Sequence, residues 1–185
     1  MPCSLRSPGP SDYDLIGSWV TDARQCIHWA GPSIPFPFSG PDLPRLIASA
    51  PAVVPGETST SFVLVADPAA SSEAAGFGQL VRQDRTSFRL ARLIIAPSRR
   101  GSGFGASLCR LLIEKAESVP EAELVNLFVY RDNAAAIHVY SKLGFVEASS
   151  QARSQVMAMQ KTIGRIKDVQ APAMQYHAHG RLDQE

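Results

Sequence analysis

The stretch from Ser87 to Tyr130 limits the fold more than any other part of the chain. Ser87 to Ala96 is β-rich and is stopped by Pro97. Three glycines then alternate at positions 101, 103 and 105, and Leu108, Leu111 and Leu112 recur at the spacing of one helix face. After Pro120 comes the apolar run Leu124 to Tyr130, which has the length of a strand. Two strands joined by a helical crossover can lie side by side only in parallel, and the crossover is expected to be right-handed. This order predicts a glycine turn at a sheet edge, opening towards solvent.

Upstream, Ser61 to Ala66 and Gly76 to Arg82 read as strands, and with Ser87 to Ala96 they suggest an antiparallel meander. Ser11 to Trp29 reads as one amphipathic helix with Ser11 as its N-cap, because Leu15, Ile16, Trp19 and Val20 recur at helical spacing. Five prolines between Gly31 and Pro44 break regular structure, after which Leu43, Leu46 and Ile47 suggest a short helix. Downstream, Asn133 to Leu143 predicts a helix ended by Gly144, and Phe145 to Ala148 with Gln155 to Lys161 a closing hairpin. The last residues lack apolar periodicity, so residues 1–164 are expected to form one domain and 165–185 a flexible tail.

A chain of 185 residues, 45% of them apolar, can bury one ample core. With 18 basic and 17 acidic side chains it carries no electrostatic footprint for nucleic acid or an anionic membrane surface, which points to small molecules or peptides as partners. No apolar run approaches the roughly 20 residues of a membrane span, and Met1 to Pro10 lacks the pattern of a secretory signal. Cys3, Cys26 and Cys109 are odd in number and follow no metal-ligand spacing, so no metal site is expected. Together these features predict a cytoplasmic protein; homodimerisation is left open.

The glycine turn carries the strongest chemical signal. Alternating glycines let the backbone approach an anion with its amides exposed, and the helix that starts there adds the positive end of its dipole. A tight strand-to-helix connection explains a lone glycine turn equally well, so context decides. A P-loop would need Lys followed by Ser or Thr, which is absent. A dinucleotide fingerprint would need Gly at 106, which is Ala, and a parallel sheet where an antiparallel meander is expected.

Leu90-Ala-Arg-Leu-Ile-Ile-Ala-Pro97 followed by Arg99-Arg-Gly-Ser-Gly-Phe-Gly105 resembles the acetyl-CoA motif of the GNAT acetyltransferases, Arg/Gln-x-x-Gly-x-Gly/Ala, matched from Arg100. Asn133-Ala-Ala-Ala-Ile-His-Val-Tyr-Ser-Lys-Leu-Gly-Phe145 is similar to the family's second signature, Asn-x-x-Ala-x-x-x-Tyr-x-x-x-Gly-Phe. The resemblance spans Ser61 to Lys161. It implies an α/β fold with a mixed, mostly antiparallel sheet, in which the strand ending at Pro97 and Leu124 to Tyr130 form a splayed parallel pair. It further implies acetyl-CoA as co-substrate, a primary amine of a small molecule or peptide as acceptor, and direct attack in a ternary complex.

Residue by residue, the resemblance implies that Arg100, Gly101, Ser102, Gly103, Phe104 and Gly105 hold the pyrophosphate. Ile94 and Ile95 would bind the pantetheine arm through their backbone. Tyr140 would protonate the departing thiolate, although a tyrosine on a half-buried helix also packs. Asn133 would reach the pantetheine or pyrophosphate region, or cap its helix, or both.

The family's glutamate on either splayed strand is missing, because Arg89 and Phe128 stand in those places. Freeing an aliphatic amine's lone pair at neutral pH costs about 4–5 kcal/mol without assistance. Ordered water, Asp22, His28 and Asp42 stay open as proton acceptors. Trp19, Trp29, Phe36 and Phe38 either wall an acceptor pocket or pack as core. Two other readings remain: a non-catalytic acyl-CoA-binding or interaction domain of the same fold, and a nucleotide-binding enzyme using the same turn.

Overall fold

The computed structural model describes residues 2–69, 72–148 and 155–164. The tail expected at 165–185 lies outside them. Among the described residues seven strands form one sheet, ordered β1-β2-β3-β4-β5-β7-β6: β1 Cys3–Arg6, β2 Thr58–Ala66, β3 Ala74–Arg82, β4 Ser87–Ile95, β5 Leu124–Tyr130, β6 Val146–Glu147 and β7 Val156–Thr162. Every neighbouring pair is antiparallel except β4 and β5. The meander and the parallel crossover therefore stand as the residue pattern predicts, and β5 has the bounds expected of it.

Period-two alternation along the strands separates two cores, one on each face of the sheet. On β2, Leu64 packs with Leu108 and Leu112 of α4 (Phe104–Glu117), while Val63 and Val65 pack on the other face with Ile16 and Trp19. That second face is covered by α1 (Pro10–Ser18), α2 (Ala23–Ala30) and α3 (Leu43–Ser49). Tyr140 of α5 (Ala134–Lys142) joins the first core beside Cys109 and Phe145.

Three expectations need correction, and one strand is additional to them. The glycine turn does not lie at a sheet edge: it follows β4, the central strand, because the crossover places β5 and β7 beyond it. The helix expected from Ser11 to Trp29 is two helices, because Asp22 takes an extended conformation and accepts from the Gln25 amide at 2.8 Å, starting α2 afresh. The apolar spacing continues across this break because Trp19 and Val20 are buried in the connection itself. Gly9, not Ser11, caps α1, with Pro10 at the first helical position and the Asp12 carboxylate accepting from the Gly9 amide at 2.7 Å. Finally, β1 was not expected; it is a short edge strand held by its ladder to β2.

The irregular segment between α2 and α3 is positioned by close contact. A Cβ at Gly40 would sit 2.4 Å from the Asp14 Cα, so only glycine lets this loop approach α1.

Asp12 also ties β1 to α1 through a bidentate pair with Arg6, at 2.6 and 2.7 Å. Arg6 holds the Asp12 carboxyl below the usual aspartate range, and the Gly9 amide adds to this against the opposing effect of burial. A depressed carboxyl contributes stability that is complete above its unfolded pKa and disappears as pH falls through the folded value. Asp12→Asn is therefore expected to cost about 1–2 kcal/mol at neutral pH, less than a fully buried pair because the Arg6 side chain is 35% exposed. Denaturant midpoints should show the gap between variant and parent narrowing on acidification to about pH 3; a gap independent of pH would contradict this.

Candidate active site

The parallel pair separates partway along its length. β4 and β5 stay in register only from Ser87↔Leu124 to Leu90↔Leu127, after which β4 runs on to Ile95 and β5 to Tyr130 without pairing to each other. The cause is local to β4. Between Gln79↔Ala91 and Phe77↔Ile94 the ladder shifts, so that an extra residue on β4 opposes β3, and Arg92 adopts φ +49°. Such a bulge bends its strand and re-aims the side chains beyond it. It is held open by Trp29, whose indole Nε1 donates to the Arg92 carbonyl at 2.7 Å.

The opening forms a cavity of about 820 Å³. Leu90 to Leu93 and Leu127 to Tyr130 line its two strand walls, α2 contributes His28 and Trp29, and α5 with its N-cap contributes Asn133, Ala136 and Tyr140. Tyr140 is 9% exposed, its ring lies edge-on to Phe145 at 6.1 Å, and no hydrogen bond among the described residues occupies its hydroxyl. Burial pushes the Tyr140 phenol well above its ordinary value, with the nearby Cys109 adding to the rise. The phenol thus stays protonated at any working pH. Cys109 itself is buried and its thiol is pushed up to about 12, so it is a neutral neighbour.

The glycine turn lies outside this cavity, at the end of β4. A single 3-10 turn, Pro97–Arg99, carries the chain to Gly101 and Gly103, whose φ values of +76° and +84° suit glycine. Gly101, Ser102 and Gly103 are exposed, and a Cβ at either glycine would touch nothing in the protein. The first helical bond of α4 runs from the Ser107 amide to the Gly103 carbonyl at 3.1 Å, so the amides of Phe104, Gly105 and Ala106 precede the ladder. Phe104 anchors the turn: its ring is buried, with the Arg99 guanidinium 5.8 Å above it.

Turn and strand meet directly. Arg100 Nε donates to the Ile95 carbonyl at 3.1 Å, and Gly105 faces Ile95. The Ala96 amide donates to the Ala75 carbonyl, so ladder alternation turns the peptide groups of Ile95 towards the open side and those of Ile94 towards β3. Of these two residues, then, only Ile95 offers its backbone to the gap. Asn133 is an N-cap, with Oδ1 accepting from the Ala136 amide at 3.2 Å, and it lines the cavity as well.

The three side chains considered as proton acceptors are now separated. Asp22 caps α2 and Asp42 binds Ser39 and Arg45, both away from the cavity, whereas His28 lines it. Its imidazole stacks on Tyr130 at 4.5 Å, and its Nε2 lies 3.6 Å from Asp132 Oδ1. Of the four N-terminal aromatics, Trp29 reaches the cavity and Trp19 belongs to the core, while Phe38 packs beside Trp29 and Phe36 is exposed.

Sequence reasoning missed the polar wall made by Glu57, Gln79, Arg89 and Arg92. Arg89 and Arg92 are three residues apart, which strict alternation assigns to opposite faces of a strand. The bulge cancels that alternation, and both residues line the same cavity.

The sequence profile of the acetyltransferase (GNAT) family matches residues 24–145, well over half the chain. The chain belongs to that family: it is an acyltransferase domain whose co-substrate is acetyl-CoA. Similar solved structures include a spermidine N-acetyltransferase from Vibrio cholerae in complex with CoA and spermine, at 19% identity and TM-score 0.67, covering 87% of this chain and 95% of that one. The ribosomal-protein-S18-alanine N-acetyltransferase from Escherichia coli is 21% identical with TM-score 0.57, covering 95% and 100%. Ard1 from Thermoplasma volcanium is 19% identical with TM-score 0.58, covering 88% and 99%. At these identities the likeness is one of fold. Among the described residues, no helix is long and apolar enough to cross a membrane.

Proposed function

We propose that the protein transfers an acetyl group from acetyl-CoA to a primary amine of a small molecule or peptide, by direct attack in a ternary complex in the cytoplasm. The observation that carries this reading is the gap between β4 and β5, with a protonated phenol on one wall, an imidazole on another, and the glycine turn at the end of β4. Pyrophosphate oxygens would accept from the amides of the turn and the first turn of α4. The pantetheine arm would run along the unpaired edge of β4 by Ile95, placing the thioester in the gap.

The amine nitrogen then attacks the thioester carbonyl carbon, and backbone donors on β4 stabilise the oxyanion as it develops. As the carbon–sulfur bond breaks, the sulfur takes the Tyr140 proton, and the amine's surplus proton passes to His28. Imidazole is the usual acceptor near neutral pH, and Glu57, the only carboxylate on the cavity wall among the described residues, is engaged by Arg89 at 2.9 and 3.0 Å.

Thermal-shift measurements should show stabilisation by acetyl-CoA that ATP and NAD do not match, and an amine panel should yield acetyl-dependent release of CoA. Stabilisation with no release from any amine would favour a non-catalytic acyl-CoA-binding domain. His28→Asn is expected to lower kcat at neutral pH by about 10- to 100-fold while leaving acetyl-CoA affinity nearly constant. An unchanged rate would exclude His28 and leave ordered water as the acceptor.

A further inference from the structure

The polar wall of the cavity carries more positive charge than the protein itself neutralises. Arg89 is buried, and its Nη2 grips both oxygens of Glu57, whose side chain is only 10% exposed. Arg92 projects from the bulge into the same cavity and spends Nη1 on Gln79 Oε1 at 2.6 Å. Gln79 is fixed in turn by its own donation to Ser61 Oγ at 2.9 Å, so the orientation of Arg92 is set two residues deep. A single carboxylate, Glu57, thus faces two guanidinium groups across the cavity, with His28 the remaining basic group on its walls among the described residues.

Burial lowers the pKa of Arg92 and the neighbouring Arg89 lowers it further, with Glu57 opposing, so two like charges crowd one wall that holds a single carboxylate among the described residues. The pair lies on β4 directly before the open edge where the thioester would sit, on the side covered by α2 and α3.

We propose that the acceptor is an amine that also bears an anionic oxo group, foremost a carboxylate as in an amino acid, held by Arg92 with Arg89 behind it. This names the substrate class for the acetyltransferase reading above and rests on it. Charge-assisted hydrogen bonds from a guanidinium to a carboxylate or phosphate are among the strong ones, and the surplus positive charge disfavours polycations. A polyamine would meet two guanidinium groups and no unengaged carboxylate.

The test uses the CoA-loaded protein and a fixed panel: the standard amino acids, their α-amides, phosphoethanolamine, ethanolamine and spermidine. Binding is read by calorimetry and turnover by CoA release with acetyl-CoA. The best acids should bind about tenfold or more tighter than their amides, and spermidine should not compete with them. Preference for phosphoethanolamine over every amino acid would assign the site to phosphate. Arg92→Gln should bring the acid-to-amide ratio close to one, with Arg92→Lys restoring part of it, while acetyl-CoA affinity stays at the parent's value. Should Arg92→Gln not fold, Gln79→Glu leaves Arg92 in place but gives it an internal carboxylate, and the preference should again vanish.

Acids bound no better than amides, or spermidine preferred, would overturn the inference even if amines are acetylated. Acids bound preferentially, with no amine ever acetylated, would keep the anion site and remove the acetyltransferase reading.

Discussion

Tyr140→Phe should cut turnover by about 10² to 10⁴-fold while leaving acetyl-CoA affinity nearly constant. The substitution keeps the ring, its edge-on contact with Phe145 and its place in the core, and deletes only a hydroxyl that no described residue engages. Because burial raises the phenol far above its ordinary pKa, it is a reluctant acid. The hydrogen bond from the phenol strengthens only as charge develops on sulfur, so the benefit falls on the transition state rather than on the bound ground state. A loss near the lower end of the range is consistent with that reluctance. Steady-state turnover with the best amine and calorimetric affinity on the same preparations decide the matter. Near-normal turnover would remove Tyr140 from the chemistry, and a matching loss of affinity would reduce it to a shaper of the cavity.

Gly103→Glu should weaken acetyl-CoA binding by about 100-fold or more and abolish its thermal stabilisation. Gly103 caps α4 at φ +84°, and a Cβ there would project into open space rather than into the protein. Any L-residue at this position costs roughly 1–2 kcal/mol of backbone strain. Glutamate also brings a negative charge to the position assigned to the pyrophosphate, and each like-charge contact at about 4 Å costs roughly 1–4 kcal/mol. Gly103→Ala separates the two effects, since it carries the strain without the charge and should lose far less affinity. Equal losses in both variants would mean that the turn's shape matters and its amides do not face an anion; undiminished binding in the glutamate variant would place the cofactor elsewhere.

The parts of this site legible in the sequence are those with local causes. The glycine turn, the strand Leu124 to Tyr130 and the Asn133 cap are each set by residues within a few positions, so periodicity and capping chemistry locate them. The splay was implied by family resemblance alone, and its cause, an extra residue at Arg92, depends on how β3 registers against β4. Register is a property of two segments, and nothing in Ser87 to Ala96 read singly reveals it. The same limit hid the Glu57–Arg89 pair, whose members are brought together across the sheet. The break between α1 and α2 was hidden for a different reason: buried Trp19 and Val20 keep the helical spacing through a segment that is not helical.

The assignment of proton acceptor and acceptor amine rests on one cavity, so the most direct test asks where the acetyl group goes. Protein, isotopically labelled acetyl-CoA and the best amine of the panel should be incubated together, with product identity read by mass spectrometry and thiol release followed in parallel. Transfer within a ternary complex predicts labelled acetyl on the amine nitrogen in an amount equal to the CoA set free. CoA released without acetylated amine, or acetyl-CoA bound and returned intact, would contradict the account.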